Sequence, residues 1–227
     1  MTTLGTLLTY LRDRLDEATA AQWTDPQLRQ WIVEGARDIA RSVEVLATTG
    51  TVSVVAGTQA YAMPTNMVRC YRAELVVTGS DVTYPLELRD RNEMDSIWGT
   101  RMAAGQGTPL YLTIYGTPGS ASGTLYPTPS AAGTLTVYYY KLPVALALDG
   151  TADATNVDLP AGWDDVALDY AEYKALRKDR DARWQEARAL YLENLGAMND
   201  VTRKHHDQLG YITVGARVLP EWLVGGS

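Results

Sequence analysis

Leu4, Leu7, Leu8, Leu11 and Leu15 return at intervals of three and four, the spacing that lines one face of an α-helix. A second apolar stripe follows, made of Leu28, Trp31, Ile32, Ala36, Ile39, Ala40 and Val43. Between the two lies Trp23-Thr24-Asp25-Pro26-Gln27. Thr24 is placed as an N-cap and Gln27 as its capping-box partner, with Pro26 in the first turn, where a missing N–H costs nothing. Residues 3 to 46 are thus predicted to form two amphipathic helices. Neither is stable without a partner surface.

At about residue 50 the helical period stops. TVSVVAG, QAYAMP, MVRCYRAELVVTG and VTYPLELR alternate or carry β-branched runs, with Gly, Pro and Thr between them. Asp90 to Trp98 is predicted as one short helix, followed by a glycine-rich loop from Gly99 to Gly107. PLYLTIYG, SGTLYP and GTLTVYYYKLP then read as further strands. Pro64, Pro109, Pro127 and Pro143 fall at strand edges, where a missing donor is tolerated. In GTLTVYYYKLP, alternation puts Leu135, Val137 and Tyr139 on one face and Thr136, Tyr138 and Tyr140 on the other. The first face is predicted as core and the second as half-exposed surface.

Helical spacing returns from residue 158 to 204. Asp158 or the turn after it caps the start, Pro160 falls in the first turn, and Asp164 and Asp165 sit at the positive end of the dipole. Trp163, Val166, Tyr170 and Tyr173 form one stripe. Trp184, Ala187, Tyr191, Leu195, Met198 and Val201 form another. The charged stretch LRKDRDAR between them reads as a solvated break between two helices. From His205 onward there is no period, yet the tail is too apolar for an ordinary disordered segment.

The fold class implied is α+β: a helical bundle from the N- and C-terminal helices, with an inserted antiparallel β-sandwich or barrel. The boundaries are 1–49 and 150–204 for the bundle, 50–149 for the β module and 205–227 for a C-terminal arm. A chain of 227 residues, 46% hydrophobic and 21% charged, can bury a core of this kind.

Composition narrows function mostly by exclusion. The net charge is −7 and the pI about 4.9. Such a chain is ill suited to gripping nucleic acid through phosphate neutralisation, though DNA can slide past it. Cys70 is the one cysteine, so no internal disulfide or thiolate metal cage is expected. The first residues lack a basic region before an apolar core, and no stretch reaches about 18 apolar residues. A protein made in the cytosol, with no membrane span, is expected. Fourteen tyrosines and six tryptophans against no phenylalanine suit half-buried sheets and interfaces.

No assembled chemistry is visible. His205 and His206 are adjacent and diverge on a helix, so they cannot clamp one metal. The Asp164–Asp165 pair and Asp179 with Asp181 lie on helix surfaces rather than across a cleft. Cys70 has no histidine near it in sequence and reads as a packed thiol. Phosphate-loop, dinucleotide, zinc-protease and serine-hydrolase motifs are missing. No enzyme activity, cofactor or metal is expected.

The order of the pieces resembles the head-to-tail adaptor (connector) proteins of tailed bacteriophages, including the tail-tubular-protein-A-like group. The residues that carry it are WTDPQLRQWIVEGARDIA (23–40), GTQAYAMP, GTPLYLTIYG, LYPTPSAAGTLTVYYYKLP and LPAGWDDVALDYAEYKALRKDRD. Gly35 stands where the family pattern usually carries Ala or another helix former. The tail after His205 matches no motif of the family.

The resemblance implies a homo-oligomeric ring, commonly of about twelve subunits, beneath the portal protein at the neck of the virion. It would extend the channel for double-stranded DNA and meet a downstream tail, nozzle or terminator protein. A terminal arm would dock on the portal, with Tyr211, Ile212, Val214, Arg217, Leu219, Trp222 and Leu223 as its candidate residues. Trp98, Arg101, Met102, Tyr138 and Tyr140 are candidates for a lateral or tail-facing interface. The competing reading is a β-sandwich binding module that holds glycan or a host receptor on Tyr138, Tyr140, Trp98 and the 99–107 loop.

Overall fold

The structure is a computed structural model that describes residues 2–17, 22–98 and 105–208. The predicted opening helices are α1 (Leu4–Arg14) and α2 (Asp25–Val43). Nine strands follow among the described residues: β1 (Ala47–Val54), β2 (Ala60–Ala62), β3 (Met67–Val77), β4 (Thr83–Leu88), β5 (Gln106–Gly107), β6 (Tyr111–Tyr115), β7 (Ser122–Tyr126), β8 (Thr128–Pro129) and β9 (Gly133–Lys141). Helix α3 (Arg91–Trp98) lies between β4 and β5, as the segment 90–98 predicts. Helices α4 (Asp164–Asp179) and α5 (Trp184–Gln208) come last.

The two apolar leucine and tryptophan stripes meet the two late helices in one core. Leu4, Leu7, Leu11, Leu28, Ile32, Ile39, Leu159, Ala167, Ala171 and Met198 are all buried there. Each fully buried leucine or isoleucine contributes about 1.5–3 kcal/mol relative to exposure. Polar ties fix how the helices sit. Asp169 on α4 is buried, and it accepts from Arg14 on α1 at 2.6 Å and from Asn194 on α5 at 2.7 Å. Arg29 on α2 reaches forward to Asp153 with two bonds of 2.7 and 2.6 Å. That fork holds the chain where it returns from the strands. The Tyr191 hydroxyl on α5 donates to Asp38 on α2. Burial, with Asp38 adding to it, pushes the Tyr191 pKa up, so the group stays a donor.

Several end signals act differently from their sequence reading. Thr24 is the N-cap of α2, but its side chain makes no cap bond. Glu17 accepts the Trp23 N–H instead, and Asp25 is held by Arg12, so acidic groups take over that helix end. Helix α4 starts at Asp164, beyond Pro160, whose carbonyl accepts from Trp163 N–H in the preceding turn. Asp158 does not cap it: Lys141 at the end of β9 donates to Asp158 at 2.5 Å. Val201, predicted inside the α5 stripe, is 54% exposed.

Seven strands form one sheet in the order β1-β9-β3-β4-β6-β7-β2. Its edges curl toward each other. The Tyr61 hydroxyl on β2 accepts from the Val55 N–H just past β1 at 3.2 Å and donates to the Thr58 carbonyl at 2.6 Å. The result is a nearly closed, barrel-like sheet around Leu75, Leu112, Leu125, Leu135 and Val137. It is a single curved sheet rather than two stacked ones. It is also not wholly antiparallel, because β4 pairs parallel with β6 through Glu87–Tyr111 and Leu88–Leu112. Parallel neighbours need a long crossover, and the segment carrying α3 provides it.

Candidate interface on the tyrosine face of the barrel

Strand β9 follows the predicted alternation on its inner side. Leu135, Val137 and Tyr139 are buried in the barrel core. Tyr139 donates to Asn66 at 3.0 Å, which satisfies its hydroxyl. On the other face, Tyr138 is half-buried, but Tyr140 is only 5% exposed. The expectation of two half-exposed tyrosines therefore fails at Tyr140.

The cause lies on the neighbouring strand. The pairing of β3 with β9 slips twice, between Met67 and Arg69 and between Cys70 and Arg72. Each slip adds a residue to β3 that has no partner on β9. The second extra residue is Tyr71. Its ring lies 5.0 Å from that of Tyr140 and 6.4 Å from that of Tyr138, measured between centroids. Arg69 lies over the Tyr140 ring at 5.6 Å, and Arg72 over the Tyr138 ring at 5.2 Å. Tyr138 donates to Glu74 at 3.0 Å, and Arg72 pairs with the same carboxylate. Arg69 also reaches Glu44, at 2.7 Å, where α2 ends in a left-handed turn.

This surface is a rigid mosaic of three rings and two guanidinium groups. Arg69 and Arg72 are both more than half exposed, so each ion pair contributes at most about 1 kcal/mol. Stacking a guanidinium on a ring adds about 0.5–1 kcal/mol and fixes its direction. Arginine and tyrosine are residues enriched in protein interfaces. A sugar-stacking platform would need open ring faces. Tyr140 is covered, and Tyr138 has one face under Arg72.

Tyr138 and Tyr140 are thus brought together, with Tyr71, Arg69 and Arg72 added. Trp98 ends α3, and its side chain lies outside the described residues, as do Arg101 and Met102. The arm candidates Tyr211, Ile212, Val214, Arg217, Leu219, Trp222 and Leu223 also lie outside the described residues. The three added residues did leave one trace in the sequence. Arg69 and Arg72 are three apart on a strand, so strict alternation would force one of them inward, and only an extra residue keeps both out.

Among the described residues there is no group of three His, Cys, Asp or Glu side chains placed to hold a metal. No helix among them is long and apolar enough to cross a membrane. Cys70 faces inward opposite Tyr139, and burial pushes its thiol up to about 11. The neutral thiol adds stability that is complete below the ordinary thiol value and is lost as pH climbs from about 9 to about 11. At pH 7.5, iodoacetamide should therefore modify Cys70 at least about tenfold more slowly in the folded protein than in urea. The folded rate should climb steeply above pH 9, and equal rates in both states would contradict the burial argument.

A second exposed surface runs along α5. Leu190, Leu192 and Val201 are each about half exposed, and Trp184, Arg188, Ala189 and Leu192 line a shallow groove.

No curated protein matches the chain. The family profile described as SU10 adaptor protein matches residues 2–217. That span takes in both helical ends and every strand between them, so the chain belongs to the SU10 adaptor protein family, in keeping with its resemblance to phage head-to-tail adaptors.

Proposed function

We propose that the protein is a structural component of the phage neck, without catalytic activity, that forms a ring beneath the portal. The observation that carries this reading is the family match across the helical ends and the barrel alike. The ring would hold about twelve copies, extend the DNA channel and present a surface to the next tail component. Synthesis in the host cytoplasm precedes its incorporation into the virion.

Each part of the chain has a role in this reading. Residues 1–49 and 150–204 act as one helical bundle, 50–149 as an inserted β module and 205–227 as an arm. The arm, through Tyr211, Ile212, Val214, Arg217, Leu219, Trp222 and Leu223, docks on the portal. The face carrying Tyr138 and Tyr140, with Trp98, Arg101 and Met102 from the neighbouring segment, meets an adjacent copy or the tail. Its ring and guanidinium groups are already fixed in place, which lowers the entropy cost of association. The acidic balance of the chain suits a channel wall, because DNA passing through is not held by counterion-releasing contacts.

Sedimentation tests the pairing with the portal. The protein should remain slow alone and move with the portal assembly from the same genome when the two are mixed. Unchanged sedimentation of both at micromolar concentration would reject the reading.

A further inference from the structure

The barrel wall has a gap between part of β3 and part of β6. Strand β4 pairs with β3 only through Ala73–Val76, then turns to β6 at Glu87 and Leu88. Arg89 still follows β6, its N–H donating to the Leu112 carbonyl at 3.1 Å. Among the described residues, Met67–Cys70 of β3 have β9 on one side and no strand on the other. Thr113–Tyr115 of β6 likewise have only β7. A cavity of about 410 Å³ occupies the gap. It is lined by both strand edges, by the apolar Leu88, Leu112 and Ile114, and also by Arg89 and Asp90.

Two facing strand edges with an apolar floor specify the chemistry of an occupant. It must be an extended peptide that offers backbone donors and acceptors to both sides and apolar side chains to the interior. We propose that this slot receives Tyr211–Val214 from a second copy of the chain as an added strand, antiparallel to β3. The inference rests on the ring reading above, which supplies a neighbour at high local concentration.

The sequence of that segment fits the slot. Tyr-Ile-Thr-Val is a run of aromatic and β-branched residues, which favour strands. Alternation would turn Ile212 and Val214 to the interior beside Leu112, with Tyr211 and Thr213 outward. Four extended residues span about 13 Å, enough to line Thr113–Tyr115. The start of the segment also points to a neighbour. Met198 is the last buried residue described on α5, and the helix runs on to Gln208, about 15 Å further. Tyr211 therefore begins three residues beyond the end of α5 and more than about 15 Å along the chain from the last described buried residue. On this inference the arm divides: Tyr211–Val214 locks onto the adjacent copy, and Arg217–Leu223 remain for the portal.

The test uses the full chain assembled with the portal. Val68 is replaced by photoreactive benzoylphenylalanine in unlabelled protein, which is mixed in equal amount with ¹⁵N-labelled unmodified protein, irradiated and mapped by mass spectrometry. The same probe at Tyr115 examines the opposite edge if the first variant misfolds. The expected cross-link joins the probe to the 211–214 peptide, with roughly half of the pairs mixing unlabelled and labelled chains. Val214→Pro, which removes a ladder donor, should reduce that cross-link at least about fivefold. Cross-links confined to unlabelled chains would assign the slot to the chain's own tail and overturn the proposal. Cross-links to any other segment, with assembly intact, would overturn it while leaving the ring reading in place. Failure to assemble with the portal in the unmodified protein would overturn both.

Discussion

Gly35→Val is expected to destabilise the protein by about 3 kcal/mol, the upper part of the range for overpacked sites. A glycine inside a helix ordinarily costs about 1 kcal/mol relative to alanine, so its presence in α2 calls for a compensating reason. That reason is the approach of α4. A Cβ at position 35 would lie 3.1 Å from the Ala167 carbonyl oxygen and 3.1 Å from Cβ of Tyr170. Both neighbours are backbone or sit next to it, so neither can move without shifting a helix turn. Tyr170 is further fixed by edge-to-face contacts with Tyr173 and Tyr191 at 5.3 Å each. The two methyl groups of valine would have to enter this contact. Urea unfolding of both proteins checks it: the midpoint should fall sharply, and a change under 1 kcal/mol would mean that the helices separate at little cost. Gly35 is also where the sequence departs from the family pattern, and the close contact with α4 gives that departure a physical meaning.

Truncation after His206 is expected to abolish association with the portal while leaving the body folded. The described core ends at Met198, and every residue of the two buried clusters precedes it. Removing the tail therefore takes no described member from either cluster. It does remove Leu219, Trp222 and Leu223, the apolar and aromatic groups left for the portal and of the kind found in binding hot spots. Loss of these three anchors, at about 1.4 kcal/mol or more each, weakens binding a thousandfold or so. Circular dichroism and thermal unfolding should be unchanged, and cosedimentation with the portal should be lost. A truncated chain that no longer folds would show that the tail belongs to the body and is no arm.

Much of the architecture was legible because burial and period agree. The α2 stripe from Leu28 to Val43 and the inner face Leu135, Val137 and Tyr139 needed only spacing to be read. What escaped was set by tertiary geometry. Beyond the Arg69–Arg72 spacing, alternation does not place the two slips in β3, so Tyr71 joined the tyrosine face unseen, and Tyr140 was placed half-exposed although its neighbours bury it. The parallel pairing of β4 with β6 was likewise hidden, because strand direction depends on where the α3 segment crosses and not on any local residue. Pro160 and Asp158 carried good helix-start signals. The helix began later because the intervening residues turn back, and Asp158 found Lys141 on a distant strand.

The central claim is that the protein caps the portal as a ring, and electron microscopy of the two mixed proteins, beside each alone, tests it most directly. The account predicts a ring of added density at one end of the portal, with a subunit count that can be read from the class averages. Portal particles unchanged beside folded, monomeric protein would contradict it and turn attention to the tyrosine face as a binding surface for another ligand.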